Sequence, residues 1–394
     1  MSEIFAGLAL LSLTIWIYLF CFRGQFWRTD QRLSAQSLPF DQYPSVCVII
    51  PARNEADLLP VTLRSLLTQD YPGVLNLFLV DDHSTDRTAE IARETAETLG
   101  KSDQLHILSA ALLPPGWTGK LWALDQGVQK AMTLEPDYFL LTDADIEHDR
   151  ANLSQLVAKA VEDDRELVSL MVRLRCQSVW EKLLIPAFVF FFEKLYPFRW
   201  VNEPGNAIAG AAGGCSLIRR ETLTRIGGIQ AIRQALIDDC ALAEAIKSSG
   251  SRRIWLGLSD STRSLRPYDS LETIWTMVAR SAFTQLNYSP LLLVGTVFGM
   301  SLIYLVPPVG FVFGLFAGQW SIALPSFLAY LLMSLAYFPI IRFYRCSFWL
   351  AGCLPAIAFL YTLMTIDSAR RHWQGKGGAW KGRVYEEIKS EIKN

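Results

Sequence analysis

Residues 75–100, LNLFLVDDHSTDRTAEIARETAETLG, read as a strand, an acidic turn and a helix in succession. The apolar run over 75–82 has the length of a buried strand and ends in Asp81-Asp82. Ser84 and Asp86 in the turn are residue types that bond the free amides of a helix N-terminus. Helical spacing follows over 87–100, with Gly100 as terminator.

The same grammar recurs on both sides. SVCVIIP (45–51) is a second apolar strand, 55–68 has helical spacing, and YFLLTDAD (138–145) is a third strand. Strands alternating with helices predict an α/β domain with a mostly parallel sheet, whose ligands bind outside the carboxyl ends of the strands. The acidic clusters at Asp81-Asp82 and Asp143–Asp145 fall at such ends.

Composition adds a membrane to this picture. Of 394 residues, 51% are hydrophobic and 12% aromatic, high for a chain that meets only water. Lys+Arg number 37 and Asp+Glu 38, so no general electrostatic case exists for nucleic-acid binding. The seven cysteines are scattered without metal-ligand spacing, which points to buried thiols rather than disulfides or zinc.

Residues 4–22, IFAGLALLSLTIWIYLFCF, are uncharged and long enough to cross a bilayer. The competing signal-peptide reading meets Glu3 where a basic region belongs, and no small-residue cleavage site. Arg23, Arg28 and Arg32 then place the following chain in the cytoplasm. Further apolar stretches run over 290–317, 321–341 and 347–366, the first kinked or split at Pro307-Pro308. Arg342 and Arg345 mark an inside end. A third full crossing would then export Arg370, Arg371, Lys376, Lys381 and Arg383, so one stretch is expected to be re-entrant or interfacial.

The expected organisation is a transmembrane helix (1–22), a cytoplasmic linker (23–44), the α/β domain (45–289), a membrane region of two or three helices (290–366) and a basic cytoplasmic tail (367–394). This describes a multi-pass protein of the inner cell membrane with its α/β domain in the cytoplasm. Within that domain, 183–202 is either a buried core helix or an in-plane interfacial segment carrying Tyr196, Arg199 and Trp200.

LLTDADIEHD (140–149) crowds Asp143, Asp145, Glu147 and Asp149 together. A solvated acidic turn is one explanation. The other is Mg²⁺ or Mn²⁺, held by one or two carboxylates and substrate phosphates. In a strand, residues two apart share a face, so Asp143 and Asp145 would converge on one ion. His148 is either a further ligand or a solvated residue, and Glu147 and Asp149 read as solvated or helix-capping groups. In LIDDCALAEAIKSSG (236–250) an apolar helical face starts at Asp238-Asp239. These two either cap the helix or supply a general base.

The order PARNE (51–55), VDDHSTDRT (80–88), TDADI (142–146) and a downstream Asp-Asp resembles family 2 glycosyltransferases of the GT-A fold over roughly 45–285. GWTGKLWALDQG (116–127), LLIPAFVFFFEKLYPFRWVN (183–202), AGGCSLIRR (212–220) and ALIDDCALA (235–243) look closer still to one branch. That branch is the hopanoid-biosynthesis-associated glycosyltransferases, related more distantly to ceramide glucosyltransferases. WKGRVY (380–385) echoes a C-terminal signature of related membrane enzymes.

The resemblance implies a Rossmann-like GT-A catalytic domain between N-terminal and C-terminal transmembrane helices. Pro51, Ala52, Asn54, Glu55 and Asp82 would line the nucleotide pocket. Asp143 and Asp145 would mark the metal–diphosphate site, Asp145 as the direct ligand. Asp239 would be the catalytic base, with Asp238 before it. Lys120 matches a Gly-Lys of the branch and would meet a phosphate, or is a surface lysine. Processive members carry Gln-x-x-Arg-Trp, of which MVARS (277–281) keeps only Arg280. That departure implies single-sugar transfer, with Arg280 helping the leaving diphosphate or pairing with a surface acid.

The implied reaction is inverting transfer from a nucleotide sugar, UDP-linked, to a lipid hydroxyl of a hopanoid or related lipid, with Mg²⁺ or Mn²⁺. Ceramide, diacylglycerol and polyprenyl phosphate are alternative acceptors. A non-catalytic membrane scaffold is the alternative of another class.

Overall fold

The computed structural model describes residues 2–33, 42–250 and 252–377. Residues 34–41 of the linker, the WKGRVY stretch, Lys381 and Arg383 lie outside the described residues. The chain divides into two compact units.

The α/β unit comprises Gln31–Arg175 and Trp200–Pro267. Among the described residues its eight strands are β1 (Val46–Ala52), β2 (Leu75–Asp81), β3 (Leu105–Ser109), β4 (Tyr138–Thr142), β5 (Ile146–Glu147), β6 (Leu167–Arg173), β7 (Cys215–Arg219) and β8 (Ile254–Ser264). They form one sheet in the order β3-β2-β1-β4-β7-β6-β8-β5. β1 runs parallel to β2 and β4, β2 to β3 and β6 to β8, while β7 is antiparallel to β4 and β6, and β5 to β8.

Every residue of β1 is buried, because helices cover both faces. Val48 and Ile50 join a core with Leu59, Leu63 and Leu66 of the Leu59–Leu67 helix. On the other face the Gly119–Ala131 helix lies so close that a Cβ on Gly127 would sit 2.6 Å from Ile49 Cγ2. The chain leaves β1 for β2 and β3 on one side and returns to β4 on the other. The carboxyl ends of β1 and β4 therefore flank a topological switch point, where open α/β sheets hold ligands.

One expectation fails here. β4 stops at Thr142, so Asp143–Asp145 form a turn and the two-residue strand period does not apply to them.

The other unit comprises Met1–Asp30, Cys176–Arg199 and Tyr268–Gly378. The expected block 45–289 is divided accordingly, with 176–199 and 268–289 grouped with the apolar helices. Among the described residues four helices are long and apolar enough to cross a membrane: Ser2–Cys21, Pro290–Phe316, Trp320–Phe343 and Phe348–Trp373. Pro307-Pro308 does not split the second. A π-helical turn at Ser301–Leu305 precedes the prolines and takes up the backbone they cannot bond.

The Val179–Leu195 helix opens with a Ser178–Glu181 capping box. Leu184, Ile185, Ala187, Val189 and Phe190 are all buried within the unit, as in a core helix. The Glu181 carboxylate also accepts from Gln177 N at 2.8 Å and Tyr268 N at 2.9 Å, tying together two points where the chain enters this unit.

Candidate active site

At the switch point, side chains from three segments meet. Asp143 stands just beyond β4, Asp238 and Asp239 open the Asp238–Ser248 helix, and Lys120 lies in the first turn of the Gly119–Ala131 helix. Lys120 Nζ is 2.9 Å from Asp143 Oδ1 and 3.0 Å from Asp238 Oδ2. Gly213 faces this cluster, where a Cβ would stand 3.5 Å from both Lys120 Nζ and Asp239 Oδ2. The cleft they line also includes Pro51 and Thr142. Lys120 is thus a bridge between two acidic motifs rather than a surface lysine.

Charges in the cleft are mutually adjusted. Burial works against the Lys120 ammonium, but Asp143 and Asp238 outweigh it and hold its pKa above the usual lysine range. Burial raises the Asp143 pKa, with Lys120 opposing and Asp145 adding to the rise. Asp239 is pushed up to about 7, first by burial and then by Asp238. Its Oδ1 accepts from Cys240 N at 2.7 Å. A carboxylate titrating there is suited to taking a proton at neutral pH.

Asp143 and Asp145 do not converge. Asp145 is buried and bonds Arg266, whose Nε lies 2.6 Å from Asp145 Oδ2. Arg266 Nη2 lies 2.6 Å from Glu55 Oε1. Arg266 was not singled out by the sequence; it follows β8, 121 positions beyond Asp145 (266 minus 145), with no local motif.

The loops after β1 and β2 are laced together. Asn54 N donates to Ser84 Oγ at 2.9 Å and Thr85 N donates to Asn54 Oδ1 at 2.8 Å. Asn54 is held at φ 52°, a left-handed conformation that asparagine tolerates. Ala56 N donates to Asp86 Oδ2 at 3.0 Å, and Glu55 N to Thr88 Oγ1 at 3.0 Å. Arg53 Nη1 bonds the backbone oxygen of buried Asp82 at 2.7 Å. Asn54, Glu55 and Asp82 therefore lie in one laced pair of loops, Asp82 N donates to Ala52 O at 2.8 Å, and Pro51 lines the cleft beside them.

The remaining acidic-run residues are structural. His148 is buried rather than solvated, 3.0 Å from Thr142 Oγ1 and 3.1 Å from Asn152 Nδ2, and burial pushes its pKa down to about 3. Glu147 pairs with Arg263 at 2.6 Å, and Asp149 Oδ1 accepts from Ala151 N at 3.0 Å as the next helix begins. Arg280 follows the Leu271–Ala279 helix in the other unit.

Among the described residues no three His, Cys, Asp or Glu side chains form a ready cage for a metal. Asp143 and Asp145 offer hard oxygens, each already facing a protein cation. This donor set fits an ion that arrives with substrate phosphates better than one held permanently.

Comparison with known proteins agrees with the architecture. The model for glycosyl transferase family 2 matches residues 47–227, a span that contains all but the first residue of β1, and β4, Lys120 and both carboxylates of the β4 turn. This part of the chain is thus similar to family 2 glycosyltransferases. Over 248 residues the chain is 27% identical to "Probable glycosyltransferase YdaM" of Bacillus subtilis, covering 61% of this chain and 54% of that protein. It is 32% identical over 151 residues to the undecaprenyl-phosphate 4-deoxy-4-formamido-L-arabinose transferase of Photorhabdus laumondii, covering 37% of this chain and 42% of that one. The chain thus spans about half the length of these relatives. A solved mannosyltransferase from Pyrobaculum calidifontis, in complex with GDP-Man and Mn²⁺, superposes with a TM-score of 0.54. That match covers 95% of this chain and 99% of that one at 19% identity, a likeness of fold.

Proposed function

We propose that this protein is a membrane-bound inverting glycosyltransferase that moves one sugar from a nucleotide sugar, UDP-linked, to a lipid hydroxyl in hopanoid or related lipid biosynthesis. The observation that carries this reading is the meeting of Lys120, Asp143, Asp238 and Asp239 in one cleft at the switch point of a domain similar to family 2 glycosyltransferases. The lipid acceptor is supported by four helices apolar enough to cross a membrane and by a relative named for undecaprenyl phosphate.

In the proposed reaction the acceptor oxygen bonds the anomeric carbon while the bond from that carbon to the diphosphate oxygen breaks. The electron pair leaves with the nucleoside diphosphate, and the hydroxyl proton passes to Asp239. A single displacement inverts the anomeric centre. Pro51, Ala52, Asn54, Glu55 and Asp82 bind the nucleotide, and Lys120 keeps a positive charge between Asp143 and Asp238 on the diphosphate side. Asp145 would be the direct ligand of a divalent ion, with Asp143 beside the same metal–diphosphate site, and that ion would supply Lewis acidity to the departing charge.

Membranes containing the protein, supplied with labelled UDP-sugars and GDP-sugars, Mg²⁺ or Mn²⁺ and a hopanoid-containing lipid extract, test this directly. Label should enter the organic phase with one donor, and the product mass should identify a hopanoid rather than ceramide, diacylglycerol or polyprenyl phosphate. Nucleotide binding without label from any donor would favour the scaffold reading.

The pH profile supplies a second check. Asp239 must be ionised to accept a proton, so kcat/KM should fall tenfold per pH unit below about 7. Asp238→Asn removes the lesser cause of the raised pKa and should move the midpoint to lower pH, with burial keeping it above an ordinary carboxylate.

We also propose three membrane crossings and one re-entrant segment, with the α/β unit and the tail cytoplasmic. Cys346 Sγ, just before the Phe348–Trp373 stretch, is 3.7 Å from Cys176 Sγ. Gly352 O then accepts from Tyr330 OH at 2.8 Å, near the middle of Trp320–Phe343. At the far end Asp367 accepts from Trp275 Nε1 at 2.9 Å, and His372 stacks on Tyr288 at 4.4 Å, two residues before Pro290 opens the next apolar helix.

Both ends thus bond near the points where the chain leaves for the α/β unit, which argues for a dip and return. The return keeps Arg370, Arg371 and Lys376 inside, in accord with the charge bias. A reporter fused after residue 377 should read cytoplasmic; an external reading would require a fourth crossing.

A further inference from the structure

Glu55 and Asp145, from two different motifs, share one guanidinium. Arg266 reaches both at 2.6 Å, and their side chains are only 9% and 11% exposed. Little water is available to stabilise either charge, and the arginine is a counter-ion to both. Its segment is fixed to the same turn by the backbone, Leu265 N donating to Asp145 O at 2.8 Å. Lys120 does not share this task, because it is bonded to Asp143 and Asp238.

We infer that Arg266 makes metal uptake at Asp145 contingent on the nucleotide diphosphate. The inference rests on the transferase reading above. A divalent ion that approaches Asp145 alone must break a charge-assisted pair and leave a guanidinium beside a dication. A diphosphate entering with the ion removes both penalties. Its oxygens complete the ion's ligands and give the released guanidinium a new acceptor. Arg266 is thus a positioning residue that couples two ligands, and such coupling is reciprocal.

Titration of purified full-length protein in detergent with Mn²⁺, followed by loss of the free-ion electron paramagnetic resonance signal, tests this without turnover. Wild type, Arg266→Gln and Arg266→Lys are compared without nucleotide, with UDP and with GDP. Arg266→Gln should tighten nucleotide-free Mn²⁺ binding by about tenfold or more, as expected when a typical coupling of 5–150-fold is lost. The gain in Mn²⁺ affinity on adding nucleotide should shrink by the same factor. So should the gain in nucleotide affinity on adding Mn²⁺.

Arg266→Lys keeps the charge but not the fork that reaches two carboxylates, so it should fall between the two. It carries the test should the glutamine variant not fold. Wild-type coupling that survives unchanged in the variants overturns the role of Arg266 and leaves the transferase reading standing. A wild type that takes up no Mn²⁺ even with nucleotide overturns the metal site and this inference with it.

Discussion

Asp239→Asn should lower kcat/KM for sugar transfer by about 10²–10⁴-fold, the usual contribution of a positioned general base. The change is nearly isosteric, and the amide oxygen can still accept from Cys240 N, the bond that Asp239 Oδ1 makes at 2.7 Å. What it removes is the proton acceptor. Nucleotide affinity should change little, because the proposed nucleotide rim at Pro51–Glu55 and Asp82 lies on other segments.

Stability gives an independent control. Burial and Asp238 raise the Asp239 pKa in the folded protein, so ionising it above pH 7 opposes folding. That penalty grows as pH rises from the unfolded carboxylate value toward about 7, and the amide never incurs it. The variant should therefore unfold at the same or a higher temperature than wild type at pH 8, while losing activity. Transfer within a few-fold of wild type would remove Asp239 from the mechanism.

Much of the α/β unit was legible because its central strands are buried on both faces. VCVIIPA, LNLFLVD and YFLLT are apolar runs with acidic or turn residues after them, and all three are strands. The limits appear where long-range pairing decides. Nothing in TDAD says that the strand ends at Thr142, and that one boundary turns Asp143 toward Lys120 and Asp145 toward Arg266. His148 reads as a polar residue in an acidic turn, yet it packs inside against Thr142 and Asn152.

The roles of Lys120 and Arg266 are set by partners far away in sequence, so spacing alone could suggest a phosphate contact for one and nothing for the other. The same reasoning explains the division of 45–289. Residues 176–199 and 268–289 follow α/β elements in sequence but find their apolar partners in the helical unit.

Metal dependence is where the two carboxylates of the β4 turn should separate. Chelation by EDTA should abolish transfer, with Mn²⁺ or Mg²⁺ restoring it. Asp145→Asn should cost about 10²–10³-fold, equivalent to the several kcal/mol a Lewis acid contributes at a departing phosphate. The loss should be partly recovered by excess Mn²⁺, since a weakened ligand raises the metal requirement. Arg266 keeps Glu55 as a partner in this variant, so the fold has no orphaned cation to lose.

Asp143→Asn should behave differently. Lys120 would retain Asp238 alone, and one negative charge would leave the cleft around Asp239. The expected signature is a smaller change in metal requirement together with a shifted pH profile. Were both variants to show the same metal titration and the same pH midpoint, Asp143 and Asp145 would be acting as one ligand pair. The separate partners found for them would then be features of the nucleotide-free protein alone.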